Sequence, residues 1–330
     1  MERSLLIVHQ GALGDFVVTF PAILLLQKYF QPIDALCESR HGQLAQQLKL
    51  IRQGFALETA FFASLYSEDI DPRVQPILIR YSQILLFSFS ERLEQAFRRA
   101  TRARVDRIPP RPAVSEPIHV SEHLRQGLIR RGLVPATELE PNLQALVQEG
   151  RCPTPSRPDP VNVLVHPGAG SQKKMWPLPN FLRVAAQLES EGLNPEYLLG
   201  PAEHRLGRHL FSAGGRSNPV HILSDLRDLL NLLQSVGAFI GNDSGVSHLA
   251  AFLGLPTVVI FGPSDPVRWK PIGRAVEVVR AEVGCDPCFE SKPDDCDFAQ
   301  CLEQITPEMV IQAFRRLLTR ICPSRQAPRV

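Results

Sequence analysis

No stretch of this 330-residue chain is long and apolar enough to cross a bilayer. A spanning helix needs roughly 20 predominantly apolar residues. The opening is equally poor: Met1-Glu2-Arg3-Ser4 leads into only four strongly apolar residues, Leu5 to Val8, too few for the core of a secretory signal. A cytoplasmic location is expected, at most peripheral on a membrane. No extended run of one charge sign occurs either. Charged residues make up 21% and the net charge is +2, which excludes strong polyanion binding by the molecule as a whole. The full G-x-G-x-x-G pattern is missing, and no acidic residue clearly ends the second strand. Both absences disfavour a nicotinamide-dependent oxidoreductase. Seven cysteines in a cytoplasmic protein argue against a disulfide framework.

What is present suffices for two domains of ordinary size, with 44% hydrophobic residues to fill their cores. Leu5 to Val8 reads as a buried strand, His9 to Gly14 as a glycine turn, and Asp15 to Phe30 as a helix with Pro21 inside it. Strand, turn and helix open a βαβ unit. Between Gly42 and Val120 the elements are placed only loosely. Four prolines (153, 155, 158 and 160) make residues 151–160 an interdomain linker.

A second series follows over residues 161–330. Strands are predicted at 161–165, 197–199, 220–223, 238–240 and 257–261, and helices at 179–188, 202–213, 226–235 and 244–253. This alternation predicts a parallel sheet covered by helices. A helix over 307–321 closes the chain, packed on its own domain or back on the N-terminal one.

Ligands of doubly wound sheets bind beyond the carboxyl ends of the strands, so the residues after each strand carry the chemistry. After the first comes Gly11-Ala12-Leu13-Gly14-Asp15. Alone, Asp15 reads as a helix cap or as a carboxylate facing a ligand. After the strand at Val161 comes His166-Pro167-Gly168-Ala169-Gly170-Ser171-Gln172-Lys173-Lys174-Met175-Trp176-Pro177. Backbone N–H groups, the Ser171 hydroxyl and a lysine ammonium together suit a diphosphate. After the strand at Ala238 comes Gly241-Asn242-Asp243-Ser244-Gly245-Val246-Ser247-His248, whose helix start aims N–H groups at an anion. Either motif alone reads as a loop and a capped helix; two after strands of one sheet point to a shared phosphate site. Seven arginines fall between Arg92 and Arg111, against Glu94 and Asp106. They form a solvated helix face or a surface for phosphates or anionic lipid. Cys285, Cys288, Cys296 and Cys301 could bind a metal, the alternatives being buried thiols or a partial disulfide.

Three of these segments carry a resemblance. Gly14-Asp15, His166-Pro167-Gly168 with Lys174-x-Trp176-Pro177, and Asn242-Asp243-Ser244-Gly245-x-x-His248 followed by Gly254-x-Pro256-Thr257 and Phe261-Gly262 are similar to the bacterial heptosyltransferases, the ADP-heptose:lipopolysaccharide transferases of glycosyltransferase family 9. The likeness runs from about residue 4 to residue 320. It implies an α/β GT-B fold: two Rossmann-like domains with parallel sheets facing a cleft, residues 1–150 for the acceptor and 161–330 for the donor. It implies inverting, metal-independent transfer of heptose from ADP-heptose to the inner core of lipopolysaccharide. A monomer that binds no nucleic acid is expected. Asp15 then resembles the general base. Ser171, Lys174, Ser244 and Gly245 resemble diphosphate ligands, Asp243 and His248 shape that end, and Glu203 matches a ribose-binding acid. Arg98, Arg99, Arg102 and Arg104 are candidates for recruiting an anionic acceptor. No metal is implied for the cysteines. The alternatives are a relative with another donor or acceptor, and a nucleotide-binding protein that has lost catalysis.

Overall fold

A computed structural model describes residues 3–67, 69–139, 144, 145, 147, 162–203, 218–284, 286–291 and 300–321. The chain divides into two compact units, Met1–Gly150 and Arg151–Val330. The proline-rich stretch 151–160 lies outside the described residues.

The first unit holds five parallel strands: β1 (Leu5–His9), β2 (Ile33–Cys37), β3 (Gln53–Ala56), β4 (Gln83–Phe87) and β5 (Arg104–Ile108), in the order β3-β2-β1-β4-β5. Helices α1 (Leu13–Val17), α2 (Phe20–Leu26), α3 (Ser39–Gln47), α4 (Glu91–Ala100) and α5 (Val120–Arg130) cover it. The single helix expected over 15–30 is two. Pro21 has no N–H to continue a ladder, and it is accommodated in the first turn of α2, after a break at Val18 and Thr19. Strands β1, β2 and β4 are buried along their whole length, as parallel strands with both faces covered must be.

Polar residues inside strands weaken the apolar pattern of the first unit. Asp34 in β2 is fully buried; its carboxylate accepts from Arg52 Nε at 3.1 Å, Gln53 N at 3.0 Å and Tyr81 Oη at 2.6 Å. Gln83 in β4 donates to Asp106 of β5 at 2.7 Å. Buried polar groups persist where such partners exist, and each one interrupts the apolar run that marks a strand.

The second unit holds β6 (Asn162–His166), β7 (Asn194–Leu199), β8 (Val220–Ile222), β9 (Ala238–Asn242), β10 (Thr257–Ile260) and β11 (Val276–Val279), all parallel, in the order β11-β10-β9-β6-β7-β8. Helices α6 (Leu178–Ser190), α7 (Leu226–Ser235), α8 (Gly245–Phe252) and α9 (Pro307–Ile321) pack on it. Pro179, expected near the first helical position, lies in the first turn of α6. Asp225 caps α7 by accepting from Arg227 N at 2.7 Å. Strand β11 had no counterpart in the sequence reading. Of the helix expected over 202–213, residues 201–203 form a short 3-10 turn, and 204–217 lie outside the described residues. The closing helix settles on its own unit: Val310, Ile311, Ala313, Phe314 and Leu317 join the core that includes Phe181, Val258 and Ile260.

Candidate functional site

In each sheet the strand order reverses at one point. In the first it lies between β1 and β4, in the second between β6 and β9. Ligands of such sheets bind at that crevice, beyond the carboxyl ends.

The turn after β1 is therefore at the switch point of the first unit. Asp15 is the third residue of α1. The N-cap is Ala12, which makes no side-chain cap, so Asp15 is not the helix cap that the sequence allowed. Its carboxylate is half-buried and, among the described residues, has no hydrogen-bond or ionic partner. A neighbouring loop is tied in by Ser88 Oγ and Gln10 Oε1, 3.3 Å apart. The arginines lie elsewhere. Arg104 begins β5, and Arg98, Arg99 and Arg102 end α4 or follow it, which puts all four at the amino edge of the sheet, away from Asp15. Arg98 pairs with Glu94 at 2.8 Å and Arg104 with Asp106 at 2.9 Å, while all four side chains remain on the surface.

The switch point of the second unit brings together the two loops that the sequence singled out. Lys174 Nζ stands 2.8 Å from Asp243 Oδ2, and His248 Nε2 is 3.8 Å from Oδ1 of the same carboxylate. Burial alone would raise the Asp243 pKa. The His248 interaction and the Lys174 charge outweigh it and hold the group at about 2, below its ordinary 3.8. Asn242, fully buried at the end of β9, clips the loops together. Its amide donates to Pro167 O at 2.8 Å and Gly168 O at 3.2 Å, and its carbonyl accepts from Trp176 N at 3.0 Å. The Trp176 indole donates to Ile305 O at 3.0 Å. The sequence reading gave Asn242 and Trp176 no role; the signal was a wholly polar residue ending an otherwise apolar strand.

Ser171 and Ser244 both serve as caps. Ser171 Oγ accepts from Lys173 N at 3.3 Å, and Ser244 Oγ accepts from Ser247 N at 3.3 Å. Gly245 starts α8, so its N–H and that of Val246 have no acceptor within the helix. Those amides follow β9 and Lys174 follows β6, the two strands that flank the switch point. Phe289 adds a face that the sequence did not suggest: the Lys174 ammonium lies 4.1 Å from its ring centroid. Cys288 N and Phe289 N both donate to Pro263 O, at 3.0 and 3.1 Å, which fixes that segment to the loop after β10.

Glu203 is buried beyond the end of β7, accepting from Gly200 N at 2.9 Å. A Cβ on Gly168 would come within 2.5 Å of its carboxyl carbon. A larger residue there would have to push the Glu203 carboxylate aside. His166 donates from Nδ1 to Leu198 O at 3.0 Å. Burial pushes its imidazole below the ordinary value, against the Leu198 bond and the charge of Glu203.

Cys288 is half-buried and Cys301 buried. Cys285 and Cys296 lie outside the described residues. Among the described residues no three metal-ligating side chains gather, and no helix is long and apolar enough to cross a membrane.

The Asp243 pair gives a pH prediction. A carboxyl group whose pKa falls on folding adds stability that is complete above its unfolded value and lost as the pH falls through its folded value. The window here runs from about pH 4 down to about pH 2, and the full contribution is on the order of 2 kcal/mol. Between about pH 5 and about pH 3 the parent should lose roughly 1 kcal/mol more stability in urea than Asp243→Asn. Equal losses would show that the carboxylate is not held in this way.

Comparison with known proteins places this geometry. The family model of glycosyltransferase family 9 (heptosyltransferase) matches residues 92–296. Lipopolysaccharide heptosyltransferase 2 of Salmonella typhimurium is 28% identical over 152 residues, 44% of this chain and 43% of that protein. The match thus spans less than half of that relative's length. A family 9 glycosyltransferase from Veillonella parvula superposes with a TM-score of 0.76 at 17% identity, covering 97% of this chain and 98% of that one. The Escherichia coli heptosyltransferase WaaC, solved with ADP-2-deoxy-2-fluoro heptose, gives 0.68 at 17% identity over 95% and 99%. The iron-containing dodecameric glycosyltransferase TibC of enterotoxigenic E. coli gives 0.62 at 18% identity over 97% and 77%. At these identities the likeness is one of fold: two parallel-sheet α/β units of the GT-B type.

Proposed function

The chain belongs to glycosyltransferase family 9 (heptosyltransferase), and on that premise we propose that it transfers heptose from ADP-heptose to the inner core of lipopolysaccharide, with inversion and without a metal. The observation that carries this reading is the pairing of Lys174 with buried Asp243 at the switch point where α8 starts, its first amides having no acceptor within the helix. A fixed ammonium and two N–H groups suit a diphosphate. Asp243 aims the lysine, Ser171 keeps its hydroxyl proton to donate, and Ser244 would exchange its contact with Ser247 Oγ at 3.2 Å for one to the phosphate. Glu203 is the acid for the donor's ribose.

Asp15 accepts the proton of an acceptor hydroxyl as its oxygen attacks the anomeric carbon. The bond from that carbon to the diphosphate oxygen breaks, and ADP leaves with the electron pair. Lys174 and the helix amides take up the developing charge. One displacement inverts the anomeric centre. The solved relative carrying an ADP-heptose analogue supports this donor. The iron in TibC belongs to that protein's name; here lysine and backbone amides supply the positive charge.

The test is transfer of radiolabelled heptose from ADP-heptose onto core acceptors truncated at defined positions, run in EDTA. Label should reach one truncation and not the shorter ones, at an undiminished rate. No transfer to any core acceptor, alongside normal ADP binding, would favour another acceptor or a non-catalytic role. Stoichiometric metal on the purified chain with EDTA-sensitive turnover would remove the metal-independent part.

The arginines at the amino edge of the first sheet are proposed to recruit an anionic acceptor at the membrane surface, the enzyme acting as a peripheral monomer. Binding to vesicles containing anionic lipid should fall steeply with salt, because exposed charges are screened. Replacing Arg98, Arg99, Arg102 and Arg104 with glutamine should weaken it several-fold. Unchanged vesicle binding and acceptor KM would make them a solvated face.

A further inference from the structure

Asp15 is carried by a turn, and His9 lies against that turn. His9 ends β1 and is 1% exposed. Its Nδ1 accepts the Gly11 N–H at 3.2 Å. An imidazole that accepts at Nδ1 carries its proton on Nε2. That Nε2 is buried and, among the described residues, has no partner within hydrogen-bond geometry, a costly state for a polar atom. A histidine kept only as core would be better replaced by an apolar side chain.

Gly11 is wedged between this ring and the base. A Cβ on it would come within 2.6 Å of Asp15 Cβ and 2.8 Å of His9 Cε1. Behind the turn, the His9 ring meets Phe16 at 5.1 Å between centroids, and Phe16 stacks on His41 at 5.3 Å. Burial, with His41 adding to it and the Asp15 backbone opposing it, lowers the His9 pKa to about 4. The ring is therefore neutral near pH 7 and remains an acceptor for Gly11.

We propose that His9 is a positioning residue for the reaction, fixing Gly11 so that the Asp15 carboxylate keeps one orientation toward the acceptor hydroxyl. The inference rests on Asp15 being the base. Misplacement of a catalytic group by an ångström can cost on the order of a hundredfold.

The test measures kcat, acceptor KM, Tm and ADP affinity in the full chain for His9→Leu, His9→Asn and Asp15→Asn, with kcat referred to the concentration of ADP-binding sites. The asparagine Oδ1 stands as many bonds from the backbone as Nδ1 and can accept the Gly11 N–H. His9→Leu should lose roughly ten- to a hundredfold in kcat with ADP affinity unchanged. His9→Asn should recover to within about threefold of the parent. Parental kcat in His9→Leu overturns the proposal, and so does equal loss in both variants tracking a common fall in Tm. If His9→Leu does not fold, His9→Gln replaces it, since its carbonyl lies one bond too far out. Equal kcat in the Asn and Gln variants is then the refuting result. Near-parental turnover in Asp15→Asn refutes the base assignment itself, and this inference with it.

Discussion

Asp15→Asn should fold like its parent, bind ADP-heptose nearly as well, and turn over roughly 10²–10⁴ times more slowly, the range for a lost general base. Asparagine keeps the size of the side chain and removes its ability to take a proton. The stability side of this expectation follows from the helix start. Asp15 lies two residues beyond the first residue of α1, and the cap is Ala12. Its charge therefore contributes only through the helix dipole, about 0.3–1 kcal/mol. Donor affinity should barely change, because the donor is assigned to the second unit. A large fall in Tm would make Asp15 chiefly structural. Normal turnover at normal Tm would place the base elsewhere.

Lys174→Ala should weaken ADP binding roughly ten- to a hundredfold, corresponding to about 1.5–3 kcal/mol for a charged hydrogen bond. It also leaves Asp243, 4% exposed, with His248 as the one ionic neighbour among the described residues. A buried charge that loses its partner is destabilising, so the single variant should melt earlier as well. Pairing it with Asp243→Asn separates the two effects. The double variant should regain most of the lost Tm and none of the ADP affinity. Calorimetry showing parental ADP binding in folded Lys174→Ala would remove Lys174 from the donor site. Recovery of affinity in the double variant would mean that the first loss reflected misfolding.

The second unit was largely legible because its strands are short apolar runs, each closed by residues that cannot continue them. The run Ala238–Asn242 ends at Asp243-Ser244-Gly245, a helix start by composition. The first unit was harder because β2 and β5 contain Asp34, Arg104, Asp106 and Arg107, which read as surface until Arg52, Tyr81 and Gln83 are brought to them. The helix expected across Pro21 overlooked that proline suits a first turn, and so marks a second beginning. Both loops proposed for the diphosphate could be named from sequence, but not the ion pair that joins them, whose partners are 69 residues apart. The arginine cluster shows the converse limit. Its density was visible, while its edge of the sheet depended on which arginines precede β5 and which follow it.

The bond from the Trp176 indole to Ile305 O joins the lysine-bearing loop to the segment that leads into α9. The tryptophan is 1% exposed, and its own N–H is held by Asn242. Loop and closing helix should therefore open as one cooperative unit, with their amides exchanging hydrogen for deuterium at a shared rate. A nick or truncation near residue 305 would then relax the lysine from a distance. Conversely, ADP bound at the loop would slow exchange in a helix to which no ligand-binding role has been assigned.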